Sequence, residues 1–257
     1  MRARNWSGHH EQWHVESRLD FWTALAAQGN PAAQEIVDYA RQNGWSRAPQ
    51  QEGAVGNGLE FLGMHRAMLE LLAEAFPQHR HLLAGWTTPP QDPNAPDDIV
   101  PNGAPFELAK AEAVEIIEHQ PATFNGEDEF GAFVETNLRP TASNPLARSP
   151  DPRTGIHNWL HNRWTDVESE VNLGDPTKNI FNARFWRLHG WIDTQWSRFR
   201  IATGLSDADA AYKALIDRHK DLMRHVHPHA HRPQTFSLER TGRRLAALQR
   251  FFADIPR

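Results

Sequence analysis

From residue 57 to residue 76 the chain reads "NGLEFLGMHRAMLELLAEAF", with apolar side chains returning every three or four positions. That is the period of one face of an α-helix, whereas a half-buried strand alternates by two. The same spacing recurs in "HEQWHVESRLDFWTALAAQG" (10–29), "FELAKAEAVEIIEH" (106–119), "EDEFGAFVETN" (127–137), a segment near 155–170, "NIFNARFWRLHGWIDTQWSRFRIATG" (179–204), "SDADAAYKALIDRHKDLMRHV" (206–226) and "SLERTGRRLAALQRFFAD" (237–254). Punctuation agrees with the periods. Asn30 and Pro31 open "NPAAQEIVDYARQNG" as cap and first turn and Gly44 closes it, while Ser206 stands where an N-cap is wanted. No run of strand-like alternation appears, so the expected fold is all-α. Two Pro-rich stretches, 87–105 and 139–155, read as excursions over the surface of one domain spanning 1–257 rather than as linkers.

Composition narrows the chemistry. The chain has no cysteine, which removes disulfides, iron–sulfur clusters and thiol nucleophiles and leaves His, Asp and Glu as the ligands for any metal. A net charge of −5, without a basic stripe, argues against a nucleic-acid surface. The N-terminal stretch lacks a signal-peptide core and nowhere do 18 apolar residues run together, so the expectation is a soluble, cytoplasmic protein with no membrane partner.

Fifteen histidines then carry the argument. His10 and His14 lie four apart on the first helix, His65 sits in the second, His157 and His161 lie four apart in "HNWLH", and His189 falls in "FWRLHGWID". One such pair decides nothing, but four helices offering two sets of three imidazoles describe a way to hold two ions inside a bundle. Two other readings compete. "HEQWH" matches H-E-x-x-H with Glu11 as a zinc-protease base, but nothing upstream could form the sheet such enzymes use to hold substrate. A di-iron carboxylate site needs two E-x-x-H units, and Glu11–His14 is the one unit of that kind among these helices. His79, His81, His119 and His219 read as ordinary structural or surface residues, "GEDEF" (126–130) and "DAD" (207–209) as solvated or helix-start charge, and the tryptophans beside the histidines as packing that keeps the interior dry. The "HVHPHAH" tail (225–231) reads as a solvated loop, with a metal-loading site as the sharper alternative.

"FLGMHRAML", "HNWLH" and "FWRLHGWID", in that order, resemble the copper-site helices of tyrosinases and related type-3 copper proteins. The resemblance covers about half the chain and implies an antiparallel four-helix bundle around two copper ions. It implies an enzyme that uses molecular oxygen to oxidise small phenols, o-diphenols or o-aminophenols to o-quinone-type products. His65 would bind the first copper, and His157, His161 and His189 the second, with Arg66 and Asp193 holding the ligand helices. Asn158 would help a water accept the phenol proton; its usual Glu partner has no evident counterpart, Asp151 being the nearest acid upstream. Gly63-Met64 and Asn182-Ala183 stand where the family usually has Pro-Trp and Asp-Pro, and Gly56 stands in place of a loop histidine. His10 and His14 are therefore inferred to complete the first site, with His9 able to replace either. The alternative is an O2-binding or single-copper bundle without oxidase activity.

Overall fold

The computed structural model describes residues 1, 5–95, 99–101, 103–141 and 143–224. The expected helix at 237–254 and the "HVHPHAH" tail lie outside the described residues. Within them the fold is all-α. The elements are α1 (Trp6–Glu16), α2 (Leu19–Ala27), α3 (Pro31–Gln42), α4 (Asn57–Ala75), α5 (Leu108–His119), α6 (Glu127–Glu135), α7 (Ile156–Arg163), α8 (Ala183–Ala202) and α9 (Ala210–Arg224). Among the described residues the extended pairing is limited to two isolated bridges, Leu138–Arg148 and Thr141–Asn144. No helix there is long and apolar enough to cross a membrane.

Three helix boundaries depart from the sequence reading, each for a local reason. The stretch expected as one helix over 10–29 breaks after Glu16. The carbonyls freed at the break are taken by the following loop: Ala48 N donates to Glu16 O at 3.1 Å and Glu52 N to Ser17 O at 2.6 Å, so the break leaves no orphan acceptors. The helix expected near 155–170 ends at Arg163, where Thr165 Oγ1 donates back to His161 O at 3.0 Å. The buried Asn172 then folds 166–174 into a compact loop by accepting from Asp166 N and Gly174 N. At α9 the N-cap is Asp209 rather than Ser206, since Asp209 Oδ1 accepts from Ala211 N and Tyr212 N at 2.8 and 3.0 Å. The cap of α3 is as read, with Asn30 Oδ1 accepting from Ala32 N and Ala33 N.

The main apolar core draws on α4, α5, α6, α7 and α8 and includes Phe61, Met68, Val114, Phe130, Leu160 and Trp191. A smaller cluster around Phe21, Trp22 and Ile36 holds α2 and α3 together. Two glycine contacts set the helix spacing. A Cβ on Gly58 would lie 2.1 Å from Asp128 O, which lets α4 and α6 touch backbone to backbone. A Cβ on Gly190 would lie 2.2 Å from Leu83 O, where the 3-10 turn Pro77–Ala84 crosses α8 one residue after His189. The "GEDEF" acids are not simply solvated: Asp128 accepts from Gly56 N and Leu59 N at the start of α4, and Glu127 accepts from Trp196 Nε1 and pairs with Arg200.

Gly190→Ala should therefore lower the melting temperature by about 3–10 °C, the consequence of roughly 1–3 kcal/mol of overpacking in a chain of this size. Gly126→Ala, with nothing near its Cβ and an extended φ of −176°, should leave it within about 1 °C. Equal melting temperatures for the two variants would contradict the close crossing.

Candidate metal centre

The six candidate histidines form one continuous buried cluster. His10 and His14 come from α1, His65 from α4, His157 and His161 from α7 and His189 from α8. Among the described residues, two groups of three have ligand atoms within 4.8 Å of one another: His10–His14–His65 and His65–His157–His189. The first is the set expected for one ion. The second is arranged differently from the expected set. His65 stacks on His189 at a ring distance of 4.0 Å and belongs to both groups, while His161 joins through His189, their Nε2 atoms 3.4 Å apart. No carboxylate belongs to either group, which disfavours a di-iron carboxylate site. His9 is in neither group.

Backbone carbonyls orient half of the rings. His65 Nδ1 bonds to Phe61 O at 2.9 Å, His161 Nδ1 to Leu173 O at 2.8 Å and His10 Nδ1 to Pro176 O at 3.4 Å. Each such bond fixes the Nδ1–H tautomer and leaves an Nε2 lone pair for the interior. Two of the three carbonyls come from the 164–182 connection, whose role sequence periodicity does not reveal.

The inward nitrogens meet each other rather than ordinary partners. His10 Nε2 lies 3.1 Å from His14 Nε2. Five buried nitrogens of these six rings have no hydrogen-bond partner among the described residues: His14 Nδ1, His65 Nε2, both of His157, and His189 Nδ1. At about 1–3 kcal/mol for each unsatisfied group, the sum approaches the whole net stability of a typical domain. A cation bound by several imidazoles would offset that cost, so the donor set fits a metal. Burial, followed by the neighbouring imidazoles, holds His14, His157 and His189 well below the usual histidine range, and burial leads the lowering of His10 to about 3 and His161 to about 4. All are neutral at pH 7, the form that ligates.

The surrounding wall is aromatic. Phe185 lies 4.1 Å from His189 and 5.2 Å from His10, Phe61 4.8 Å from His157, and Trp13 4.9 Å from His14. Trp164 packs instead against Trp86, and Trp186 donates to Ile180 O. Behind the cluster Arg66 ties α4 to α8. Its Nε donates to Asp193 Oδ1 at 2.5 Å, its Nη2 to Asp193 O and Ser197 Oγ, its Nη1 to the Tyr212 hydroxyl, and its face lies on Trp196. The helices bearing His65 and His189 are thus clamped by a multiply bonded guanidinium.

The remaining side is polar. Asn158 Nδ2 donates to Glu135 O at 2.6 Å and its Oδ1 accepts from Arg18 Nη2 at 3.2 Å. Glu135 is wholly buried with both carboxylate oxygens unpartnered among the described residues, and burial, partly countered by Arg18, pushes it up to about 8. Sequence reasoning missed it. The one signal was an acid four residues after Gly131, on the α6 face that turns inward. Asp151, the nearer acid in sequence, is spent on Arg153. His219 pairs with Glu60, His119 is exposed beside Glu115, and His79 and His81 are exposed on the 3-10 turn. In comparisons with known proteins, the chain matches no family model, no curated protein and no solved structure.

Because these imidazoles resist protonation when folded but titrate near 6.5 when unfolded, the unfolded chain binds more protons below that pH. The metal-free protein should be most stable above pH 6.5 and lose stability steadily as pH falls from 6.5 toward 4, read as urea midpoints. A midpoint flat across that window would show that the rings are not buried as a neutral cluster.

Proposed function

We propose that the cluster holds two copper ions and that the protein is a dinuclear copper oxidase, using molecular oxygen to convert phenols, o-diphenols or o-aminophenols into o-quinone-type products. The observation that carries this reading is the convergence of six neutral imidazoles from four helices, with five of their buried nitrogens unpartnered among the described residues and no carboxylate in either ligand group. Imidazole sets favour copper in affinity order over zinc, iron and nickel, and the sequence resemblance to type-3 copper proteins points the same way. A mononuclear protease on His10 and His14 leaves His157, His161 and His189 without a purpose.

When bound, the copper pair supplies oxygen activation and accepts the electrons of the phenol. The chain supplies the rest. His10, His14 and His65 would hold one ion and His157, His161 and His189 the other, with His65 also stacked on His189. Phe61, Phe185 and Trp13 exclude water from three sides. Arg66 and Asp193 keep α4 and α8 in register. Asn158, fixed between Glu135 O and Arg18, orients the water that takes the phenol proton, and we assign Glu135 as the final acceptor of that proton at a carboxylate oxygen. As a base Glu135 works ionised, so hydroxylation of monophenols should rise with pH through about 8.

Oxygen uptake tests the reading. His189→Ala should abolish uptake with catechol while helicity by circular dichroism stays within a few per cent. Glu135→Gln should lower monophenol turnover about 100-fold and remove its rise toward pH 8, leaving catechol oxidation within a few-fold. Reversible oxygen binding without consumption would make the protein a carrier, and full uptake by His189→Ala would remove the site from the chemistry.

A further inference from the structure

His65, His157 and His189 are 3 %, 2 % and 1 % exposed, so an ion reaches their group only after some element of the fold moves. The frame behind them is fastened. Arg66 ties α4 to α8, and Gly58 and Gly131 bring α4 and α6 to backbone contact. The helix α1, which brings His10 and His14, takes part in neither fastening. Its 11 residues include Gly8 and three histidines, with no side-chain cap bond and no acid in the first turn. A helix so short and so composed is marginal without tertiary support. That support comes from an inward face of Trp6, His10, Trp13 and His14, so half of it is imidazole. Trp6 Nε1 and His14 Nδ1 are buried without a partner among the described residues, and the bond from His10 Nδ1 to Pro176 O is long at 3.4 Å. The C-terminal end of α1 is held firmly instead. Ala48 N and Gln51 Nε2 donate to Glu16 O at 3.1 and 2.8 Å, and Glu52 N donates to Ser17 O at 2.6 Å.

We infer that α1 is a hinged closure over the histidine cluster, pivoting at Glu16–Ser17, and that copper held by His10, His14 and His65 is what fastens it. The inference rests on the reading of the cluster as a copper site. In the metal-free chain, docking α1 takes His14 Nδ1 and His65 Nε2 out of water without giving them partners, which favours the open form. An ion bound between His65 on the frame and His10 and His14 on α1 reverses that balance, because the closed form alone offers all three ligands. Opening also explains how metal enters. In the closed form α1 lies against the aromatic wall, with Trp13 6.4 Å from Phe61 and His10 5.2 Å from Phe185. Swinging α1 away at the pivot uncovers those rings and His65, and with them the group His65–His157–His189, which stays assembled on α4, α7 and α8.

Amide hydrogen exchange of the full chain, read by mass spectrometry with and without copper(II) chloride, tests the hinge. Without metal, residues 7–15 should exchange at least about 100-fold faster than residues 61–72 of α4, the behaviour of a segment that opens locally. With free copper at about 100 times its dissociation constant, exchange over 7–15 should slow about 100-fold, while the 46–53 segment that holds the pivot changes less than about threefold. His10→Ala combined with His14→Ala should remove that slowing, which separates docking by metal from the ordinary fraying of a chain end. Unchanged exchange over 61–72 in that variant shows that the bundle still stands. Residues 7–15 as slow as 61–72 in the metal-free wild type, or slowed equally by copper in the double variant, overturn the closure. Copper content of the same samples separates the two claims. Two coppers per chain with 7–15 indifferent to them defeat the hinge alone. Copper-dependent slowing of 7–15 in a chain that holds a single ion upholds the hinge and defeats the dinuclear reading.

Discussion

The structure turns on the placing of neutral imidazoles nitrogen to nitrogen in an aromatic interior. Nε2 atoms 3.1 Å apart in His10 and His14, and 3.4 Å apart in His161 and His189, can share one N–H each, but five other nitrogens of these rings stay unpartnered in the interior, leaving protonation or a bound cation to satisfy them. Burial removes the shared-cation option of protonation, because it drives every one of these rings toward the neutral form. The helices behind the cluster cannot move apart to relieve the contact. Arg66 bolts α4 to α8, Gly58 and Gly131 lock α4 to α6, and Gly190 seats α8 against the Pro77–Ala84 turn. A rigid frame that holds unsatisfied donors in place, at a cost to stability, is what a preorganised metal site requires.

Much of this was legible in the sequence, and the reasons for the rest are specific. Helical period fixed the long elements, because α4 and α8 carry apolar residues through five turns, and Asn30-Pro31 announced the start of α3. The histidines could be assigned to a common interior because His65 and His189 lie on long apolar helices, while His10/His14 and His157/His161 repeat at the four-residue spacing of one helix face. What periodicity cannot show is the division of an element by tertiary bonds. The α1–α2 break is made by loop amides of Ala48 and Glu52, and the early end of α7 by Thr165 and Asn172. Nor can it reveal backbone ligand-orienting groups such as Leu173 O and Pro176 O, which have no side-chain signature. Glu135 escaped notice because one buried acid at a helix end looks in sequence like any solvated one. The same ambiguity hid a second role of Asp128, which stands in the first turn of α6 as read but also caps α4 from outside.

The asymmetry of the walls gives the site a direction. Phe61, Phe185 and Trp13 make the sides where water and charge are excluded, and a low local dielectric there strengthens every electrostatic interaction inside. The Arg18–Glu52–Asn158–Glu135 side is where the charged and polar groups gather. The break between α1 and α2 produces both features at once, since it ends the helix carrying His14 and turns Arg18 across toward α7. A fold error read from sequence alone, one long helix over 10–29, would have erased the polar side altogether.

Copper content and electron paramagnetic resonance on the same reconstituted sample test the central claim most directly. Two imidazole-bound Cu(II) ions held in one cluster should couple magnetically. The account predicts two coppers per chain by elemental analysis with a spin signal far below that amount. One copper per chain, or two giving full-intensity signals of isolated ions, would contradict it.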